Sequence, residues 1–312
     1  MSAMPRSDED LTHAAADPYP LYARLRALGP VVYLIRHQVV ALTTHAAVRT
    51  ALEHPACFGP PGEPGGGLAA GGGSTHTLLP GPPDRPSARR PKGLSGHIEQ
   101  AARRLAGACL AEGRMDAAEV AIWLAQDVAL LRGLPPQAAE GAQGLDTAAA
   151  CATATTLCLL AAHPEQYRLL RARRAGAAAA VHEALRLEAP IQHTVRRVRA
   201  GLNVCGTELE PGTPVWLLYG SAGRDVGQWG PRADRYIIQR PGNHDHLALG
   251  HSPRACPGRT LAIAQATELI AALARRAPYL VLDGEPVRDP SDPLRGWRRV
   301  PLLLRSGLPA VR

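Results

Sequence analysis

His-Leu-Ala-Leu-Gly-His-Ser-Pro-Arg-Ala-Cys-Pro-Gly-Arg, residues 246–259, is the stretch on which the reading of the fold turns. Glycines at 250 and 258 bracket a single thiol, Cys256, and a helical pattern from Thr260 to Ala277 follows at once. Glycine lets backbone pass close to a flat partner. A helix N-terminus and the arginines Arg254 and Arg259 favour thiolate over thiol. A lone thiolate on a tight loop serves as a nucleophile, a metal ligand or a haem axial ligand, and the loop alone leaves these open. A papain-like nucleophile would need a committed His and Asn, and nothing in the chain marks them.

At 312 residues the chain can bury a large core, as one big domain or two smaller ones. Hydrophobic residues make up 46% of it, so it is globular. It has no apolar run near about 18 residues and no N-terminal signal pattern, so a soluble cytoplasmic protein is expected. The six cysteines are scattered without a CxxC pair, which argues against a disulfide framework and a structural zinc site. The net charge of +8, carried mostly by arginine, suits an acidic protein partner as well as nucleic acid. Aromatics are only 4% and no basic stretch is interleaved with them, so neither nucleic acid nor membrane is expected as a partner.

Pro18 to Leu28 reads as a short helix, Val31 to Thr43 as a two-stranded hairpin, and Ala46 to His54 as a second helix. Residues 59 to 86, dense in Gly and Pro, read as a long loop. Helical patterns cover about 97–112, 117–132, 137–162, 163–172 and 175–188. Two β-rich stretches follow near 195–207 and 214–219, then an irregular run to 255. The tail from Tyr279 to Leu304 reads as short strands around turns. This order is mostly helix with small sheets and does not alternate strand and helix, so a doubly wound fold is excluded.

Three further groups of residues bear on chemistry. Glu183 and Arg186, three apart, share a helix face with apolar flanks, which suits a packed structural ion pair. Gly144-Leu-Asp146-Thr147 sets an acid beside an alcohol, a pairing able to relay protons. Arg85, Arg89, Arg196 and Arg254 are dispersed arginines suited to clamping carboxylates.

Taken in order, these motifs resemble bacterial cytochrome P-450, the haem-thiolate monooxygenases. The cysteine loop resembles the family's FxxGxxxCxG signature, and Glu183-Ala-Leu-Arg186 its ExxR helix. Gly144 to Thr147, followed by His163-Pro-Glu-Gln166, resembles the long distal helix and the start of the next. Arg224-Asp225 and Pro231-Arg-Ala-Asp-Arg235-Tyr236 resemble the irregular segment before the cysteine loop. Asp17-Pro-Tyr-Pro20 and Leu294-Arg-Gly-Trp297 to Leu304 resemble the two ends. The match runs from about residue 12 to residue 305. It implies a mainly α fold with small β-sheets, a single domain over 1–312.

The resemblance implies that Cys256 is the axial ligand of haem b iron, a thiolate whose electron donation favours O–O cleavage in this family. Gly250 and Gly258 would shape its loop. Glu183 and Arg186, with Arg235 as third member, would hold the core on the haem side. Arg89, Arg196 and Arg254, with Arg85, would pair with the haem propionates. Asp146 and Thr147 would deliver protons. The implied activity is oxidation of a specialised-metabolite substrate at a carbon–hydrogen bond through an iron-oxo species. A ferredoxin would supply electrons, docking on Arg103, Arg104 and Arg259.

The chain also departs from the family pattern. Leu249 stands for the usual Phe and Ser252 for the usual Gly, while Arg85 replaces a commoner His. An alternative register of the distal helix uses Ala154-Thr155-Thr156, which lacks the acid. Between Pro136 and the distal helix, near 136–143, no segment remains for the lid helices. A closed lid prevents leakage of reactive intermediates. The gap implies a partner over the open distal face: a second copy, a carrier protein or a peptide substrate. It also leaves two alternatives, a haem protein with peroxygenase or isomerase/cyclase chemistry and a non-catalytic partner protein.

Overall fold

The computed structural model describes residues 4–11, 17–59, 94–131, 145–251, 253, 255–289 and 294–305. Its first elements are β1 (Arg6–Ser7), α1 (Tyr19–Leu28), β2 (Val31–Leu34), β3 (Val39–Leu42), α2 (His45–Glu53) and β4 (Phe58–Gly59). A helical middle follows: α3 (Leu94–Glu112), β5 (Arg114–Asp116), α4 (Ala117–Leu131), α5 (Leu145–Ala162), α6 (Pro164–Arg171) and α7 (Ala177–Leu187). Next come β6 (His193–Val198), β7 (Leu202–Val204), β8 (Thr207–Leu209), β9 (Pro214–Leu218), α8 (Tyr219–Ala222) and α9 (Val226–Trp229). A 3-10 turn, Asn243–Asp245, precedes α10 (Arg259–Arg276), and β10 (Tyr279–Leu282), β11 (Val287–Arg288), β12 (Trp297–Arg299) and β13 (Pro301–Arg305) close the chain.

The chain divides into two compact units. The first draws on Met1–Arg85, Ile191–Asp234 and Leu247–Cys256. Its six-stranded sheet has the order β1-β2-β3-β9-β6-β4. The expected hairpin forms its centre, with Val31 opposite Leu42 and Leu34 opposite Val39. β3 continues in parallel onto β9, pairing Val40 with Val215, 175 positions further along the chain. Helix α1 buries Leu21, Tyr22 and Leu25 against Val32, Leu34, Val39 and Leu218. Asp225 ties α2 to the segment after β9, because its carboxylate accepts from the N–H groups of His45 at 2.9 Å and Gly227 at 3.0 Å.

The second unit draws on Pro86–Pro190, Arg235–His246 and Pro257–Arg312. Its centre is α5, buried on nearly every side from Ala148 to Ala161, the pattern of a helix that is apolar all round. Alanines let it approach α4 closely: Ala150 and Ala154 meet Ala121 and Ala125, with Trp297 laid over the seam. A three-stranded sheet, β10-β13-β5, packs at the side. Asp116 joins that sheet to α4, accepting the N–H groups of Ala118 at 2.9 Å and Val300 at 3.0 Å.

The expected helices appear with ends shifted by a few residues, the usual error of a boundary read from periodicity. The first half of the Gly/Pro loop's opening is strand: Phe58–Gly59 pairs with β6. The rest of that loop, the start of the expected 137–162 helix and the gap near 136–143 lie outside the described residues. No helix among the described residues is long and apolar enough to cross a membrane.

Replacing Asp116 with Ala removes a helix N-terminal acceptor and strands the N–H of Val300. It is expected to lower unfolding free energy by about 2 kcal/mol, read from the urea midpoint, with Asn recovering part of the loss.

Candidate functional site

The spacing of Glu183 and Arg186 on α7 brings them face to face, and both side chains are fully buried. The guanidinium is bidentate: Nε donates to Oε2 and Nη2 to Oε1, each at 2.9 Å. Oε1 also accepts the N–H of Ile237 at 3.1 Å and Nε of Arg240 at 2.9 Å. Nη2 of Arg186 donates further to the carbonyl of Arg235 at 3.0 Å. The sequence reading of Arg235 as the third member is corrected here. Arg235 contributes only its carbonyl while its side chain is exposed, and the guanidinium that reaches Glu183 is that of Arg240. The signal for Arg240 is faint, because it lies five positions beyond Arg235 in irregular chain.

The same helix holds the rest of the 235–246 segment. The Tyr236 hydroxyl donates to the Ala180 carbonyl at 3.0 Å, and Asn243 Nδ2 to the Ala179 carbonyl at 2.9 Å. Burial, with the Glu183 charge adding to it, holds the Tyr236 phenol well above its usual range. At the end of the segment His246 is buried, and its Nε2 lies 3.2 Å from Nδ1 of His182 on α7. Burial pushes His182 down to about 4, with the Arg259 and His244 charges adding to the effect. His246 lies well below the usual imidazole range for the same first cause. Both rings are therefore neutral at pH 7.

In the first unit Cys256 closes a tight loop. Its N–H donates to the Leu249 carbonyl at 2.9 Å, and Gly250 supplies a positive φ of 70° that a side chain would disfavour. The helix α10 begins at Arg259 with Gly258 as its N-cap, without a capping side chain and without an acid in the first turn. Gly258 itself has an ordinary helical φ of −85°, so conformation does not demand glycine there. Burial pushes the thiols of Cys109 and Cys158 up to about 11 and that of Cys151 up to about 12, so these three stay protonated at pH 7. Cys57 and Cys256 are half-buried and Cys205 is exposed, and none of them is in a disulfide.

Arg196 sits on β6 in the same unit as Cys256, half-buried, with Nη1 donating to the Val195 carbonyl at 2.7 Å. Arg85, Arg89 and Arg254 lie outside the described residues. Asp146 and Thr147 fall in the first turn of α5, in the second unit. The alternative register is structural: Thr155 accepts the indole N–H of Trp297 at 2.9 Å, and the Thr156 hydroxyl donates to its own helix at Ala152. Arg103 and Arg104 are ion-paired to Glu99 and Asp127, and Arg259 Nη2 donates to the His244 carbonyl at 2.9 Å. That proposed docking face is therefore largely committed within the fold.

A second polar cluster escaped the sequence reading. Glu188, just past α7, accepts Arg288 Nη2 at 2.7 Å and Arg295 Nε at 2.8 Å, and Arg288 stacks on Trp297 at 3.4 Å from the ring centre. A cavity of about 240 Å³ lies alongside, lined by Ile122, Ala125, Cys151, Ala154 and Trp297. The two arginines come from the tail, 100 and 107 positions beyond Glu188, which no local pattern announces.

The described fold is similar to that of solved cytochrome P450 structures. The structure of P450BioI in complex with hexadec-9Z-enoic acid ligated acyl carrier protein superposes over 94% of this chain and 100% of that one, with a TM-score of 0.77 at 19% identity. Residues 177–294 match the family model for cytochrome P450. Cytochrome p450 CYP199A2 of Rhodopseudomonas palustris is 32% identical over 161 residues, 52% of this chain and 38% of that protein. Cytochrome P450 monooxygenase PikC of Streptomyces venezuelae is 34% identical over 157 residues, 49% of this chain and 37% of that protein. The match to the cytochrome P450 family thus rests on the C-terminal half of the chain, which spans under two fifths of the length of these curated relatives.

Proteins of this family bind haem b. The donor chemistry here fits that group: Cys256 is half-buried on a loop closed by its own N–H and stands three residues before a helix start. No cluster of three His, Cys, Asp or Glu among the described residues could hold a metal unaided.

Two outcomes follow from the networks on α7. Arg240→Ala is expected to lower stability by about 2 kcal/mol, because it strips one partner from a buried carboxylate, while Arg235→Ala stays within about 0.5 kcal/mol. Denaturant titration of the two variants decides which arginine is the third member. The second outcome concerns pH. The unfolded imidazoles titrate near about 6.5. With folded values depressed, the neutral pair's contribution is full above that pH and is lost as pH falls toward 4. The urea midpoint of His182→Asn should therefore fall less steeply than that of the parent between pH 6.5 and 4.

Proposed function

We propose that this protein is a haem-thiolate oxidoreductase, a monooxygenase acting on a specialised-metabolite substrate. The observation that carries the reading is the Cys256 loop. Cys256 is half-buried at the close of a backbone turn and stands three residues before the first residue of α10, while Cys109, Cys151 and Cys158 are buried and protonated. In this reading Cys256 holds the iron of haem b as thiolate, and Gly250 keeps the loop low enough for a flat macrocycle. Arg196, with Arg85, Arg89 and Arg254, orients the propionates by charge-assisted hydrogen bonds. Asp146 and Thr147, at the first turn of α5, hold and pass on protons at the carboxylate and hydroxyl oxygens. The bound group supplies the oxidising centre, and a ferredoxin-type protein supplies electrons. The relative named as a monooxygenase supports this activity.

The substrate reaches the site on a carrier protein. Two features support this. The sequence lacks room for lid helices between α4 and α5, and a structural neighbour was solved with an acyl-loaded carrier protein. A carrier would both deliver the substrate and cover the face that a lid would otherwise close.

The reduced, carbon-monoxide-bound spectrum tests the haem reading. The purified chain is expected to show the Soret band of a thiolate-ligated haem, and Cys256→Ala to lose it. A chain that takes up no haem would overturn the proposal.

A further inference from the structure

Six exposed arginines gather at the C-terminal ends of α6 and α10: Arg168, Arg171, Arg173, Arg174, Arg275 and Arg276. The two ends are joined by Arg171, whose Nε donates to the Ala274 carbonyl at 3.1 Å and whose Nη1 donates to the Pro278 carbonyl at 3.3 Å. One arginine at a helix C-terminus complements the dipole and is ordinary. The other five form no ion pair among the described residues, unlike Arg103 and Arg104 on α3. The turn that ends α6 is also unusual. Arg173 has a φ of 54°, at a position where glycine would be free of strain. The backbone there is fixed by the N–H of Arg174 donating to the Leu169 carbonyl at 3.0 Å.

We propose that these two helix ends form the docking surface for an acidic carrier protein. This rests on the proposed function for the identity of the cargo. Position argues against an electron donor. Helix α10 has 18 residues and begins three residues after Cys256, so its arginine end lies about 27 Å along the axis from its start. Electron transfer to a group at the helix start needs closer approach than this. Chemistry argues against a membrane or nucleic acid. The exposed large apolar residues are elsewhere, at Leu28, Ile35, Ile122, Trp123, Leu130, Val226 and Val287, so nothing at the patch inserts into lipid. The one aromatic on α6, Tyr167, is buried with its hydroxyl donated to the Ala277 carbonyl at 2.9 Å, so no base-stacking surface is offered. What remains is a set of planar forks suited to carboxylates.

The test uses the full haem-loaded chain and an acyl carrier protein in its phosphopantetheinyl form, with association followed by surface plasmon resonance. Expected is binding that weakens with salt. Arg173→Glu with Arg174→Glu, and separately Arg275→Glu with Arg276→Glu, should each slow association by about tenfold or more at low salt. Arg103→Glu with Arg104→Glu should leave it unchanged. The thiolate Soret band and peroxide-driven turnover of a free substrate should be the same in all three variants. Failure of the carrier to bind, or binding indifferent to the reversals, overturns the docking surface. So does patch-dependent binding of duplex DNA or anionic vesicles in place of the carrier. Loss of the Soret band in the parent chain would instead overturn the haem reading, and the carrier titration would still stand by itself.

Discussion

The buried pair Glu183–Arg186 is the constraint on which the second unit is organised. Neither side chain touches water, so each charge is tolerable only while its partners stay in place. One carboxylate oxygen serves three donors, the guanidiniums of Arg186 and Arg240 and the N–H of Ile237. That requirement dictates the path of residues 235–240, which carry no regular structure of their own. Irregular backbone that cannot satisfy itself must be satisfied by side chains, and α7 supplies them through Glu183, the Ala179 and Ala180 carbonyls and His182. The segment so fixed leads directly into the loop that ends at Cys256.

Around this pair the core is made of small side chains. Alanine buries little area, so the α4–α5 seam gains less from the hydrophobic effect than a leucine seam would. In exchange the backbones approach closely, and specificity passes to a few oriented polar contacts. The Trp297 indole donates to Thr155, and Arg288 stacks on the outer face of the same ring while holding Glu188. These contacts fix the register of β12 on α5, which a seam of interchangeable alanines would leave loose.

Much of this was legible in the sequence, and the reasons are local. The i, i+3 spacing of Glu183 and Arg186 predicted a packed pair because both lie on one strongly periodic helix. Cys256 stood out because two glycines and a helix start bracket it within a dozen residues. The hairpin at 31–43 was visible from its own Val-rich pattern. What stayed hidden is non-local. The pairing of β3 with β9 joins strands separated by most of the chain, and the convergence of Arg288 and Arg295 on Glu188 spans about a hundred residues. Arg240 rather than Arg235 meets Glu183 because irregular chain offers no period from which to project a side chain. The neutral pairing of His182 with His246 was equally invisible, since burial alone sets it.

The arginines show the limit of reading charge from composition. By count they make the chain basic throughout. In the fold they separate into groups with different physics. Arg186 and Arg240 are buried and structural, their charge cancelled inside the protein by Glu183. Arg24, Arg49, Arg103 and Arg104 are exposed but held by carboxylates on the same surface, so their fields are short-ranged dipoles. Only unpaired charge projects beyond about 8 Å in physiological salt, and it is unpaired charge that steers a partner. A net charge of +8 therefore says little about where a partner binds, whereas the five unpaired guanidiniums at two adjoining helix ends define one place where an acidic surface is drawn in.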